Sequence, residues 1–361
     1  MHDDIAHMRR ALDLAVRGRA TVSPNPMVGC VIVDPHGTVV GEGHHERAGE
    51  PHAEIHALRH AGARARGATM YVTLEPCSHT GRTGPCAVPT ADSGIGRVVA
   101  AIEDPNPEVS GRGFAYLRAR GVAVEVGLLA DEAQRLNETF LTSVRLRRPH
   151  VTLKVALSAD GYMARPGGGP TAITGAEARA HVHAHRAWVD AIAVGSGTML
   201  ADDPLLTARD VERPLPLTRV IFDRRLRTPL FARMWATRDA GPILVMTTNE
   251  AMAASPRAVA AIEARGGECV PCRPRDIRDA LSALDRRRIR SIILEGGAAL
   301  HEAAWTAGVV DRFHLYRSPH ALGNGVRWKL DGLLAAAARP DVEHVPLGPD
   351  ILINADVHRP R

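Results

Sequence analysis

Pro51-His52-Ala53-Glu54 opens a helical pattern that runs to Ala61. Residues 68–74 form an apolar run of strand length, and Pro76-Cys77-Ser78-His79-Thr80-Gly81-Arg82-Thr83-Gly84-Pro85-Cys86 follows directly. Proline suits the first turn of a helix, so the helix is expected to begin near Pro51. Working outward, residues 28–33 and 39–42 read as short strands about a turn at 34–37. Ahead of them, Ile5, Met8, Ala11, Leu12, Ala15 and Val16 recur at helical spacing over 4–18, with Gly18 as a stop. Strands at 97–102 and 121–126 complete an αββαβ…β order, which predicts an α/β layer structure over roughly residues 1–145.

The pattern then restarts. Arg145-Leu146-Arg147-Arg148-Pro149 is a charged, proline-ended break that divides the chain into expected domains 1–146 and 147–361, and a length of 361 residues favours two domains. Strands are expected at 151–157, 189–194, 219–222, 243–247, 291–295, 313–317 and 350–355, and helices at 175–187 and 298–307. This is a second α/β domain; its glycine-rich stretch 166–170 reads as a flexible loop.

His52, Cys77 and Cys86 make a three-ligand set of one imidazole and two thiolates. Zinc takes such donors tetrahedrally, and a catalytic site leaves the fourth position to water, which then gives up a proton near neutral pH. Glu54, two residues from the histidine, is a carboxylate that moves protons without ligating metal, the division of labour in zinc deaminases. A departing amine has to be protonated, and Glu54 is the candidate general acid. Singly, each residue has a plainer reading: a surface histidine, a small buried cysteine, a glutamate answering a helix dipole. The combination selects the metal reading. Spacing alone does not bring His52 and Glu54 together, because positions i and i+2 on a helix do not face each other.

Composition narrows the partners. The balance of 45 Lys+Arg against 40 Asp+Glu leaves +5, unclustered, and aromatics are only 4% of residues, so the basic stripe with interleaved aromatics of a nucleic-acid binder is missing. No apolar run reaches the ~18–20 residues of a membrane helix, and residues 1–10 are polar and charged, so neither a membrane partner nor export is expected. Five cysteines, an odd number, fit a cytoplasmic protein using some of them for metal rather than a disulfide framework. The cysteine spacing is also informative. Nucleic-acid deaminases show P-C-x-x-C, whereas here eight residues intervene, including His79 and Arg82, an insert suited to a substrate with its own phosphate.

Pro24-Asn25-Pro26-Met27-Val28-Gly29-Cys30, Gly49-Glu50-Pro51-His52-Ala53-Glu54, Glu75-Pro76-Cys77-Ser78-His79-Thr80-Gly81-Arg82-Thr83 and Asp104-Pro105-Asn106-Pro107 together resemble the bifunctional riboflavin-biosynthesis deaminase/reductase family, over essentially the whole chain. The resemblance implies a cytidine-deaminase-like α/β/α sandwich followed by a dihydrofolate-reductase-like α/β domain. The first would deaminate 2,5-diamino-6-ribosylamino-4(3H)-pyrimidinone 5′-phosphate with Zn2+ held by His52, Cys77 and Cys86 and with Glu54 as proton shuttle. Asn25, His45, Arg82 and Asn106 fall where the family holds its substrate. Pro89 departs from the family's smooth helix after the second cysteine, though a first-turn proline is tolerated.

In the second half, Leu153-Lys154 with Ser158-Ala159-Asp160-Gly161, the segment Val194-Gly195-Ser196-Gly197-Thr198 to Arg209, and Glu295-Gly296-Gly297 resemble the reductase. The resemblance implies reduction of a ribosyl group to ribityl by NADPH. Arg186, Leu206, Arg209 and Glu295 would contact substrate; Leu157, Ala172, Thr198, Asp202 and Gly297 would contact cofactor. It also implies a homo-oligomer. Glycines between strand and helix let backbone N–H groups approach a phosphate. Gly195-Ser196-Gly197 is not a dinucleotide fingerprint, since Leu200 stands at the third glycine position. The chain departs from the family's Ser-x-Trp-Ile-Thr with Pro170-Thr171-Ala172-Ile173-Thr174, and from its Pro-Lys with Pro319-His320. A deaminase with an inert reductase-like half is therefore the rival reading, and a nucleic-acid-binding deaminase fold a third. Cys269-Val270-Pro271-Cys272 reads as an incidental pair. His181, His183 and His185 read as a solvated or ligand-side helix face, and His301-Glu302-Ala303-Ala304-Trp305 is half a zinc motif and not a site.

Overall fold

In the computed structural model, which describes residues 2–78, 84–107, 109–340 and 342–357, the chain divides into two units, Met1–Leu146 and Arg147–Arg361. The first unit runs α1 (His2–Val16), β1 (Gly29–Val33), β2 (Val39–His44), α2 (Ala53–Ala61), β3 (Thr69–Val72), α3 (Ala87–Asp92), β4 (Arg97–Ala100), α4 (Arg112–Ala119), β5 (Ala123–Val126), α5 (Ala130–Leu136) and α6 (Glu138–Leu146). Its sheet has the order β2-β1-β3-β4-β5, with β1 antiparallel to both neighbours and β3, β4 and β5 parallel.

Glycines set the layers. A Cβ on Gly29 would lie 1.9 Å from Ala11 O of α1, whereas one on Gly43 would lie 2.4 Å from Ala53 O of α2. Gly43 pairs with Cys30, next to Gly29 on β1, so the two contacts fall on opposite faces of the sheet. Helices α1 and α2 therefore cover the two faces, giving three layers with a core of Val31, Ile32, Met70, Val72, Val98 and Leu117 among others. Helix α2 starts at Ala53, later than expected, because His52 is extended (ψ 168°) and Pro51 stands outside the helix.

The second unit runs β6 (His150–Leu157), β7 (Tyr162–Ala164), α7 (Ala176–Trp188), β8 (Ala191–Gly195), α8 (Ser196–Asp202), β9 (Thr218–Phe222), β10 (Ile243–Thr247), α9 (Asn249–Ala254), α10 (Pro256–Glu263) and β11 (Gly267–Pro271). It continues through α11 (Ile277–Arg286), β12 (Ser291–Gly296), α12 (Ala298–Thr306), β13 (Arg312–Arg317), β14 (Val326–Arg327), α13 (Asp331–Ala337), β15 (Glu343–Leu347) and β16 (Asp350–Asp356). Nine strands form one sheet, β11-β10-β9-β8-β12-β6-β13-β16-β15; it is parallel from β11 to β13 and closes with two antiparallel strands. Along β12, Ile292 and Leu294 enter one core cluster and Ile293 another, so both faces are covered and the strand reads as an unbroken apolar run.

Two expectations change here. His181 and His185 are not a solvated face. Their rings pack 6.0 Å and 4.5 Å from the buried His314 ring, and only the His183 side of α7 borders the large cavity described below. Helices α4, α5, α6, α8, α9, α10, α11 and α13 and strands β7, β11, β14 and β15 have no counterpart in the sequence reading. Cys269 and Cys272, at β11, are free; burial pushes both thiols up to about 11, so they are protonated at neutral pH, and Cys272 donates to Thr247 O.

Candidate active sites

In the first unit, catalytic-type side chains gather where parallel strands β3 and β4 end, the usual location for a site in an open α/β sheet. His52 is the residue before α2, Cys77 follows β3, and Cys86 precedes α3. The His52 Nδ1 atom lies 3.6 Å from Cys77 Sγ and 3.3 Å from Cys86 Sγ, and the three donor atoms all fall within 4.8 Å of one another. Tetrahedral zinc, with bonds of about 2.0–2.3 Å to nitrogen and sulfur, needs neighbouring donors roughly 3.5 Å apart. The donor set fits. The Cys86 backbone N–H donates to Cys77 Sγ at 3.3 Å, and the Cys77 thiol is held far below the ordinary range, by hydrogen bonding from Cys86 first and from His52 as well.

Glu54 reaches the same place because His52 is not helical, so the helical i, i+2 divergence does not apply. Its carboxyl is 3% exposed and lines a cavity of about 220 Å³ together with Asn25, His45, His52, Cys77 and Asn106. The Oε2 atom has no hydrogen-bond partner among the described residues, and burial, aided by the Cys77 charge, pushes the carboxyl up to about 7. A carboxyl so poised both takes and gives a proton near neutrality.

His45 is buried and oriented from both ends. Nδ1 lies 3.2 Å from Pro51 O, which can only accept, so Nδ1 carries the proton and Nε2 accepts from Asn25 Nδ2 at 3.1 Å. The Asn25 loop is pinned by a residue that sequence reading missed. Asn137, 1% exposed, accepts from Met27 N–H and donates to Met27 O, both at 2.8 Å. Its sequence separation of 110 residues hid it. Arg82 and His79 lie outside the described residues.

In the second unit a cavity of about 1060 Å³ opens at the carboxyl ends of the parallel strands. Arg186, Arg209, Glu295, Thr198, Asp202, Ala172 and Gly297 all line it. The side chains of Leu157 and Leu206 instead sit in the core, at 4% and 3% exposure; Leu206 has φ +54°, turning the backbone there. Arg186 grips Glu295 with two hydrogen bonds, and Lys154 Nζ stands 3.8 Å from the same carboxylate. Burial would raise Glu295, but the Arg186 and Lys154 charges outweigh it and hold the carboxyl at about 2. Lys154, inward on β6, is the site residue here that sequence reading did not single out. Arg209 meets His183 Nε2 at 3.0 Å through its guanidinium. Gly296 is required: a Cβ there would lie 2.7 Å from Thr198 Oγ1, and Gly297, at φ +95°, caps α12 at the cavity wall. Pro170 and Ala172, the departures from the family pattern, form part of the lining without closing the space.

A zinc-type deaminase fold joined to a reductase fold is thus the class these two units define. The first 102 residues match the cytidine and deoxycytidylate deaminase zinc-binding region, and residues 149–353 match the RibD C-terminal domain. The chain is 40% identical to the riboflavin biosynthesis protein RibD of Escherichia coli K12, over 97% of this chain and 98% of that one. It is 39% identical to the Aquifex aeolicus protein of the same name, over 90% and 89%. Among solved structures, Acinetobacter baumannii RibD superposes with a TM-score of 0.85 at 35% identity, covering 99% of both chains. A Thermotoga maritima diaminohydroxyphosphoribosylaminopyrimidine deaminase/5-amino-6-(5-phosphoribosylamino)uracil reductase gives 0.82 at 33%, covering 98% of both. The chain belongs to the RibD family of riboflavin-biosynthesis enzymes, with a deaminase and a reductase domain.

Proposed function

We propose that the chain carries out two consecutive steps: hydrolytic removal of the 2-amino group of 2,5-diamino-6-ribosylamino-4(3H)-pyrimidinone 5′-phosphate, then reduction of the ribosyl group of the deaminated product to ribityl by NADPH. The observation that carries the first step is the convergence of His52, Cys77 and Cys86 beside the buried Glu54 carboxyl, whose Oε2 has no hydrogen-bond partner among the described residues. Those three residues would hold zinc, which when bound supplies the Lewis acidity that makes water nucleophilic near neutral pH. Glu54 takes the proton that water sheds and returns it to the departing nitrogen, so that ammonia leaves neutral. His45, Asn25 and Asn106 orient the pyrimidine, and Arg82 answers its phosphate.

In the second unit NADPH, when bound, supplies hydride. Arg186 and Lys154 keep Glu295 ionised, so that its carboxylate accepts from ribose hydroxyls, with Arg209 beside it on the substrate side. Lys154, a buried cation in the cavity wall, is the proton source for the oxygen freed as the ring opens. Thr198, Asp202, Ala172, Gly297 and the backbone around Leu157 and Leu206 shape the cofactor and substrate edges. The inert-reductase alternative is not favoured: the reductase-domain match spans 149–353, and the Arg186–Glu295–Lys154 group is intact. We read the enzyme as cytoplasmic and homo-oligomeric, acting on small phosphorylated pyrimidines with neither nucleic acid nor membrane as partner. Among the described residues, no helix is long and apolar enough to cross a membrane. The test is a coupled assay on the full chain. Zinc-loaded protein with the diamino substrate should release one ammonia, and NADPH should then be oxidised; ammonia without NADPH oxidation would remove the second step.

A further inference from the structure

Glu75 stands two residues before Cys77, 3% exposed, and its carboxylate accepts four backbone N–H groups. Oε2 takes Asp104 at 3.2 Å and Gly111 at 3.0 Å; Oε1 takes Gly113 at 2.9 Å and Phe114 at 3.3 Å. Gly113 and Phe114 belong to the first turn of α4, where N–H groups have no partner within the helix. Asp104 and Gly111 bracket the segment that carries Asn106 into the deaminase cavity. Within that segment Asp104 Oδ1 accepts from Asn106 N–H at 2.8 Å, and Asn106 O accepts from Val109 and Ser110. The backbone contact beneath is equally close, since a Cβ on Gly113 would lie 2.0 Å from Pro76 O.

One carboxylate thus joins the strand end that presents a metal-type ligand to the loop that presents a substrate-side amide. We propose that Glu75 is a positioning residue for deamination, setting the Asp104–Asn106 loop against the His52–Cys77–Cys86 cluster so that substrate contacts and reacting centre stay in register. The proposal rests on the deaminase reading above. Four donors require two acceptor oxygens. A glutamine of the same shape offers one oxygen and turns its amide N–H groups toward two of the backbone donors, which displaces the loop while leaving the core filled.

The test uses full-length Glu75→Gln beside the unaltered enzyme, with zinc content, ammonia-release kinetics and reduction of the deaminated product measured on each. The expected result is full zinc, unchanged reduction, and a KM for deamination raised roughly tenfold or more, with a smaller change in kcat. An unchanged KM overturns the proposal, as does loss of zinc, which would make Glu75 a support of the metal loop alone. Should Glu75→Gln unfold the first unit while reduction persists, Gly113→Ala decides, because it pries the same junction apart from the backbone side. A raised KM with zinc retained supports the proposal, and a normal KM overturns it. If the unaltered enzyme releases no ammonia, it is the deaminase reading that fails.

Discussion

Arg186 and Glu295, 109 residues apart in the chain, meet through two parallel hydrogen bonds of 2.6 and 2.7 Å, both side chains more than four-fifths buried. Breaking a buried pair leaves a charge with no compensation, at about 3–5 kcal/mol, and Lys154 offsets only part of it. Arg186→Met should therefore lower NADPH oxidation at least ~30-fold, equivalent to about 2 kcal/mol, while ammonia release stays normal. Reduction within twofold of the unaltered enzyme would detach this pair from the reaction.

For Glu54→Gln the expectation is retained zinc and ammonia release reduced by roughly 10²–10⁴, the usual share of a positioned acid–base group. Metal analysis and an ammonia assay on the same sample decide it. Near-normal turnover would move the proton chemistry to another residue.

Removing the metal should separate the two activities. A strong chelator ought to abolish ammonia release and leave NADPH oxidation of the deaminated product intact, because the donor cluster belongs wholly to the first unit. Loss of both activities would contradict that assignment.

Asn137→Ala strips partners from the Met27 N–H and C=O at once. With at most about 1–3 kcal/mol for each of these two part-buried groups left unpaired, the first unit should lose roughly 2–6 kcal/mol of stability to denaturant. Its KM for deamination should also rise, through a loosened Asn25. A stability change under ~0.5 kcal/mol would mean that the loop is held by other means.

Acid should weaken the second unit before its carboxylates titrate. His301 is fully buried and pushed down to about 4, by burial first and then by the Lys154 charge; His314 is also pushed well below its ordinary value, through burial and its neighbours His185, Arg312, His181 and His150. A folded pKa below the unfolded value of about 6.5 makes stability full above pH ~6.5 and lost as pH falls through the folded value. For His301 the loss by pH 5 is roughly 2 kcal/mol. Glu295, held at about 2, adds a further loss only below pH ~4.3. Denaturation followed from pH 7.5 to 5 should show this slope, and His301→Gln, which keeps an acceptor for Trp328 Nε1, should flatten it. A slope unchanged by that substitution would place the effect elsewhere.

The periodic strands and the Pro-Cys spacing were legible because they are local. Alternation and apolar runs mark β1, β3, β6 and β12, and the metal donors lie in two short motifs. Gly29, Gly43 and Gly296 likewise occur where a backbone must come close, and their positions are written in the chain. The partners across the fold were not legible. Asn137 on Met27, Glu75 on the first turn of α4, and Lys154 beside Glu295 are each joined over dozens to more than a hundred residues, and no spacing rule reaches that far. The same holds for His181 and His185, whose helical pattern is equally consistent with water or with His314. Residue types and local periodicity settle which chemistry the chain carries; which groups are buried, paired or left with a free oxygen follows only from what packs against them, because desolvation and hydrogen bonding are properties of the surroundings.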